Sequence, residues 1–444
     1  MSRARIAIVT IVLIWIALMI KLMIADVWDE TNGMLAFCDP AHTLGFNVRF
    51  VLTQSLGFWR PLPTLIAAVL LHFVRDFDVN WRLLRGIDIA MLLGAVVLFL
   101  RAIERWSERD ERRDVIFTIA VLFSGSAVIT AGWYANIFDA SALLLIALGA
   151  FVLSTAERGH PVRSARASRP GADQSPSGTL DDCGPEARAP MRAIEAGVIF
   201  GLAFFCKETA ALVFPFLLLL LAANRITVRT ALRAGIPAAI LGATYFAIRA
   251  RIVPFGSSAD VHGFATDLYL PTLINLCESF WRQTLKMRDY IGFAFFAFSL
   301  AMLKRPKLIA AALALIVATS VLYWGMIMPY QNGVLFSHLD FIGRLYLIPV
   351  TLLLVMLAME RRTVAICVLL IPILIGAFTT YRDHTRMQRT YKRLYRTALQ
   401  AKTKPLMVDY TEKPLHDTTR DVEVCACPQA PVKIDERTGQ LLFR

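Results

Sequence analysis

Cysteine is sparse in this chain and never arranged for chemistry. Seven cysteines occur in 444 residues, at positions 38, 183, 206, 277, 367, 425 and 427, and none forms a Cys-x-x-Cys pair. No metal-ligand cluster accompanies them, and Cys425-Ala426-Cys427 is only a weak redox or metal signal. Cys206 and Cys367 fall inside apolar runs and read as small core residues. Charge is sparse too: Asp, Glu, Lys and Arg make up 18% of the residues while 57% are hydrophobic, and mean hydropathy is +0.55. A soluble domain of this length is less apolar and more charged. Alternating apolar and polar residues are missing, which excludes a membrane barrel. No repeat at solenoid periods is present. The net charge of +13 comes with no nucleic-acid recognition motif. The basic residues mostly sit between apolar blocks, where they set topology and meet anionic lipid headgroups, so nucleic acid is not an expected partner. Arg3 and Arg5 precede an apolar run as in a signal peptide, yet Lys21 and Asp26 follow without a small-residue cleavage site. The run reads as a retained first span.

Long apolar blocks are what the chain does have, among them Ile6 to Ile20 and Leu308 to Met328. A helix needs about 20 apolar residues to cross a hydrocarbon core of ~30 Å. The expected fold is therefore an all-α polytopic membrane protein. Its eleven spans are 6–24, 85–101, 115–133, 140–155, 193–206, 209–223, 234–253, 289–303, 308–328, 344–359 and 363–380. The block Leu62 to Val74 is too short to cross. Pro61 and Pro63 open it as they open helices, and it reads as an amphipathic helix in the outer interface. With a cytoplasmic N-terminus, the inner segments 101–113, 156–192, 224–233, 304–307 and 360–362, together with Arg3 and Arg5, carry 21 Lys and Arg residues. That agrees with the positive-inside rule. A crossing at 62–74 would turn most of these charges outward. Segment 25–84 is then the first outer loop and 381–444 an outer tail, although the basic start of the tail runs against the rule.

Two soluble pieces complete the organisation. Segment 156–192 is rich in Ser, Pro, Gly and Arg and reads as a disordered cytoplasmic loop. The tail opens with a basic amphipathic stretch, Arg386 to Arg396, suited to the membrane surface. Leu406-Met407-Val408 and Val422-Glu423-Val424 suit strands of a small cap.

Ionisable residues near membrane depth are costly and mark functional candidates. Asp29 and Glu30 follow the first span. Neighbouring carboxylates repel, a situation that suits acid–base work, and they can also bind a cation or simply mark the membrane exit. Arg60 in Trp59-Arg60-Pro61-Leu62 suits bidentate phosphate binding or snorkelling to a lipid headgroup. Asp139 opens the fourth span, where an N-cap is the simpler role. Lys207-Glu208-Thr209 separates two apolar blocks as a turn. Arg344 and Tyr346 begin another span, where the pair can hold a phosphate or anchor the helix in the interface. All of these fall on the outer side of the topology. A site facing outward has no nucleotide-sugar in reach and must use a donor activated within the membrane.

The order of these motifs resembles the GT-C membrane glycosyltransferases, above all the protein O-mannosyltransferases and the TPR-associated transmembrane mannosyltransferases. Asp29-Glu30 looks like the family's acidic pair after span one, and Arg60-Pro61-Leu62 like its Arg-Pro-Leu. Lys207-Glu208-Thr209 with Pro215 looks like its Lys-Glu turn, and Arg344-Leu345-Tyr346 like its Arg-Tyr run. The pattern covers roughly residues 5 to 380. Gly132-Trp133 and Asn136 replace the His-Pro and Glu usual before the fourth span, and no TPR repeats follow, so the acceptor class does not carry over.

The resemblance implies a GT-C-like arrangement in the inner membrane of a bacterium. The donor would be a polyprenyl-phosphate-linked sugar and the acceptor a glycan, lipid or protein. Asp29 would act as general base with inversion, and Arg60, Lys207 and Arg344 would stabilise the phosphate leaving group. Glu30 and Asp139 would orient the acceptor or support a divalent cation, whose involvement the resemblance leaves open. The alternative expectation is a flippase or transporter of a lipid-linked glycan.

Overall fold

A computed structural model describes residues 3–21, 42–53, 59–74, 77–132, 137–156, 185–252, 300–324 and most of 346–381, with the backbone of four strands between 406 and 443. The helices are α1 (Arg3–Lys21), α2 (Leu44–Thr53), α3 (Pro61–Phe73), α4 (Phe77–Trp106), α5 (Glu111–Leu122), α6 (Gly125–Gly132), α7 (Ile137–Ala156) and α8 (Pro185–Leu202). After 3-10 turns at Ala203–Phe205 and Glu208–Leu212 come α9 (Val213–Ala222), α10 (Val228–Ile252), α11 (Pro306–Trp324), α12 (Leu347–Met359) and α13 (Thr363–Ile375). The strands β1 (Leu406–Thr411), β2 (Thr419–Val424), β3 (Ala430–Asp435) and β4 (Gln440–Phe443) form one sheet in the order β2-β1-β3-β4. The β1–β3 pair is parallel and the other two are antiparallel. All-α thus describes the helical body alone, and both tail segments expected to be strands are strands.

Four helical segments are long and apolar enough to cross a membrane: α1, Arg82–Trp106 of α4, α7 and α10. A fifth results if α5 and α6, bent by 59°, form one broken span. Eleven full spans are not reached among the described residues. The expected spans 209–223, 308–328, 344–359 and 363–380 contain shorter apolar helices, Glu208–Ala222, Pro306–Thr319, Leu347–Met359 and Thr363–Ile375. Parts of these expected spans, including 325–328 and 344–345, lie outside the described residues. Expected span 289–303 lies almost wholly outside the described residues. Segment 156–192 also needs correction, because α8 already starts at Pro185.

Local chemistry explains the breaks. Asp110 caps α5 by accepting the Arg112 and Arg113 N–H groups at 3.0 and 3.2 Å, satisfying orphan donors of the first turn. Ser124 then interrupts the expected span 115–133. Its Oγ accepts the Ala127 N–H at 3.1 Å and starts α6 in a new direction. After α9, Asn224 takes the left-handed conformation at φ 55°. The Asn224 N–H donates to the Leu221 carbonyl and the Arg225 N–H to the Leu220 carbonyl, a Schellman ending. Arg361 repeats it after α12, also at φ 55°.

Packing follows side-chain size. On α10, Leu232, Ile236 and Ile240 form an exposed stripe four residues apart, while Ala234, Ala238, Gly242 and Tyr245 are buried. Such a helix turns its bulk toward lipid and its small face toward protein. The small face meets Gly197-x-x-x-Gly201 of α8. A Cβ on Gly197 would lie 2.3 Å from the Ala234 carbonyl oxygen, and one on Gly201 2.6 Å from Leu241 Cβ. One continuous apolar core runs from Trp15 of α1 to Ala377. A smaller cluster joins Val51, Ala67, Ala68 and Leu71 to Leu84, Ile137 and Phe138, fixing α2 and α3 against α4 and α7.

The helical body has two distinct polar ends. At the turn end, Arg225 donates to the carbonyls of Trp106 (2.6 Å) and Met359 (3.0 Å) and pairs with Glu360 (3.3 Å). Arg305 also pairs with Glu360 at 3.0 Å, Arg361 pairs with Glu108, and Arg362 donates to the Leu303 carbonyl. Segments 101–113, 224–233, 304–307 and 360–362 therefore meet at one end. These are four of the segments expected on the inner side. The starts of α4, α7 and α12, and the C-terminus of α10, point to the opposite end.

Candidate functional site

Four of the residues singled out from the sequence converge at that opposite end. Arg60 immediately precedes α3, where Pro61 and Pro63 fix the helix start. Its Nε and Nη2 both donate to Glu208 Oε2, each at 3.2 Å, and its guanidinium lies 5.0 Å from the Phe138 ring centre. Phe138 and Asp139 occupy the first turn of α7. Asp139 is not used as a simple cap here, because both its oxygens accept from Lys207 Nζ. Lys207 sits in extended backbone, φ −164° and ψ 146°, between the two 3-10 turns. That break sends Lys207 toward α7 and Glu208 toward α3 and α10. A continuous helix would place successive side chains about 100° apart on one cylinder, with no such splay.

Glu208 is the centre of the cluster. Its Oε2 is occupied by Arg60, and its Oε1 lies 2.9 Å from the Tyr245 hydroxyl and 3.3 Å from Arg249 Nε. The same hydroxyl lies 2.8 Å from the Trp59 carbonyl oxygen. A single phenolic proton thus serves two acceptors and ties the start of α3 to α10. The Trp59 indole stacks on the Tyr245 ring at 5.6 Å and 17° and meets Phe205 edge-on. Arg60, Lys207 and Glu208 are buried, whereas Arg249, in the last turn of α10, retains 18% exposure. Buried ion pairs of this kind hold only if both members are present, since removing one leaves an uncompensated charge.

Tyr346 is buried at the start of α12, at the same end. Asp29, Glu30 and Arg344 lie outside the described residues. Tyr245 and Arg249 are additions to the sequence reading, as is the pair Arg85 and Asp88 on α4, both almost fully buried. Asp88 lies close enough to Asp139 for their charges to interact. Charge inside a span was the available signal for Arg85 and Asp88. Tyr245 gave none, being one aromatic residue in an apolar run. Trp59 Nε1, Thr209 Oγ1 and both Asp88 oxygens are buried without hydrogen bonds among the described residues. Among those residues, no group of three or more His, Cys, Asp or Glu is placed to hold a metal.

The arrangement is a buried ionic scaffold built from several parts of the chain. Among the described residues it brings Arg60, Arg85, Lys207 and Arg249 to the same end as Asp88, Asp139 and Glu208. No family model, no curated protein and no solved structure matches the chain.

Proposed function

We propose that the protein is a membrane glycosyltransferase that moves a sugar from a polyprenyl-phosphate donor to an acceptor hydroxyl, at the periplasmic face of a bacterial inner membrane. The observation that carries this reading is the cluster around Glu208. It gathers Arg60, Asp139, Lys207 and Glu208 from three distant parts of the chain into one buried ionic cluster. In this reading all eleven expected spans cross the membrane, and the turn end faces the cytoplasm. Asp29 takes the proton of the acceptor hydroxyl as its oxygen bonds to the anomeric carbon. The bond from that carbon to the phosphate oxygen breaks with inversion, and the lipid phosphate leaves as an anion. Arg60, Arg249 and Arg344 stabilise that anion, since preorganised cations act strongly where water is excluded. Glu208 holds Arg60 and Arg249 in place, Lys207 and Asp139 brace the start of α7, and Glu30 and Tyr346 position the acceptor.

The test is sugar transfer in proteoliposomes supplied with a radiolabelled panel of polyprenyl-phosphate hexoses. Asp29→Asn at equal protein level is expected to lose transfer by ~100-fold or more, the range for removing a general base. Unchanged transfer by that variant removes Asp29 from the mechanism.

One observation favours a second reading, a flippase for a lipid-linked glycan. The chain is broken both at Ser124 and at Lys207, and transporters build substrate sites from broken helices. Movement of a fluorescent polyprenyl phosphate across vesicles, without sugar transfer, would select it.

A further inference from the structure

The tail sheet has two unlike faces. Successive residues of a strand alternate between the faces, and residues paired across strands share one. The register puts Val422 of β2, Val408 of β1, Val432 of β3 and Phe443 of β4 in one row across the sheet. The neighbouring rows of the same face run through Leu406 and Tyr410 and are apolar except for Arg420. The other face carries the row Asp421, Asp409, Lys433 and Leu442. Two aspartates directly opposed repel each other unless water screens them, so that face suits solvent. A sheet with one apolar face has to bury it against a second layer. Among the described residues beyond 381, the tail contributes these four strands and no helix.

The sequence just before β1 supplies a layer of the right shape. Met387, Tyr391, Leu394, Tyr395, Ala398 and Leu399 recur at the spacing of one helix face, and Arg389, Lys392, Arg393 and Arg396 fall on the opposite one. As a helix, residues 387–399 would measure ~20 Å. A strand of six residues, such as β1, is also ~20 Å long. Residues 400–405 can reach up to ~20 Å, enough to return the chain to Leu406 at the start of β1. A short tether of this kind holds the two apolar surfaces at roughly millimolar effective concentration, an advantage that a separate partner lacks. Docking here leaves the basic stripe in water, whereas a helix laid on lipid headgroups would leave the apolar face of the sheet uncovered. We infer that the apolar face of the tail sheet is a docking surface for residues 387–399, which lie across it as an amphipathic helix and complete a two-layer cap. This docking is independent of the reaction that the helical body carries out.

Disulfide trapping in the purified full chain, with its native cysteines replaced by serine, tests the contact. Cysteine behaves as a small hydrophobe, so it can stand on the apolar face without abolishing it. Leu394→Cys is combined with Val408→Cys or Val432→Cys, both central on the apolar face, and separately with Asp409→Cys, which adjoins Val408 on the other face. A disulfide needs Cα atoms within about 7 Å. Under a mild oxidant, at least one of the first two pairs should close within the chain. The pair with Asp409→Cys should stay at the background of Leu394→Cys alone, and so should Lys392→Cys with Val408→Cys. Failure of both apolar-face pairs, or a yield no higher than that with Asp409→Cys, overturns the inference. Quenching of a fluorophore on Leu394→Cys by spin-labelled lipid in nanodiscs would then assign the stripe to the membrane. Disulfides that form only between chains overturn it in favour of a second copy.

Discussion

Lys207 and Asp139 are each only 2% exposed, and each is the other's principal charge partner in the cluster. Removing one member of such a pair is expected to cost about 3–5 kcal/mol, because the survivor keeps its desolvation penalty. Lys207→Met should therefore lower the melting temperature sharply in detergent. The double variant Lys207→Met/Asp139→Leu should recover most of the loss. A double variant no more stable than either single one would show that the pair is not the unit of stability. The glutamate next in sequence behaves differently, since Glu208 serves Arg60, Tyr245 and Arg249 together and no single substitution restores it. Legibility at this scale depends on context. Arg60, Asp139, Lys207 and Glu208 are visible in the sequence because each opens or interrupts an apolar block. Their mutual pairing is not visible, because it depends on which faces of α3, α7 and α10 meet. Asp88 and Arg249 sit near the margins of apolar stretches, where charge is normally read as a boundary.

At the scale of elements, the approach of α8 to α10 sets the geometry of the site, since α8 leads into Lys207 and α10 carries Tyr245 and Arg249. Gly197 meets backbone, the Ala234 carbonyl at 2.3 Å from where a Cβ would stand, and backbone does not yield as a side-chain tip does. Gly197→Val is expected to separate the helices and reduce thermal stability by several degrees. Gly235→Val, whose Cβ would meet only Leu217 Cδ1 at 3.8 Å, should be tolerated. Equal melting of the two variants would show that the close packing carries no weight. Helix positions are largely readable from apolar blocks, and α3 matches its expected bounds within a residue at each end. Breaks are harder to read. Ser124 ends α5 by offering its hydroxyl to a new helix, and serine also occurs inside helices.

The whole molecule is organised by its two ends. Arg225, Arg305, Glu360, Arg361 and Arg362 join the turns at one end, and the Glu208 cluster occupies the other. The proposed eleven-span topology would put these ends on opposite sides of the membrane. Single cysteines at Arg49 and Lys304, both exposed, in a chain whose native cysteines are serine, test this. An impermeant maleimide applied to intact cells should label Arg49→Cys at once and Lys304→Cys only after permeabilisation. The reverse pattern would invert the topology and place the Glu208 cluster in reach of cytoplasmic nucleotide-sugars. Loop charge makes this organisation legible from the sequence, because a bias in Lys and Arg survives uncertainty in helix ends. The four-stranded sheet of the tail is legible only in fragments, its strands being four to six residues long.

The grip of Arg225 also has a consequence for how the chain is made. Its bond to Trp106 can form as soon as α9 leaves the ribosome, but its contacts with Met359 and Glu360 involve residues made 134 and 135 positions later. Over that interval the early helices are threaded into the bilayer with the turn end still open. Arrival of α12 closes it, so the final shape of the body is reached late in synthesis. Chains cut short before Glu360 should therefore be recognised by membrane quality control as unfinished.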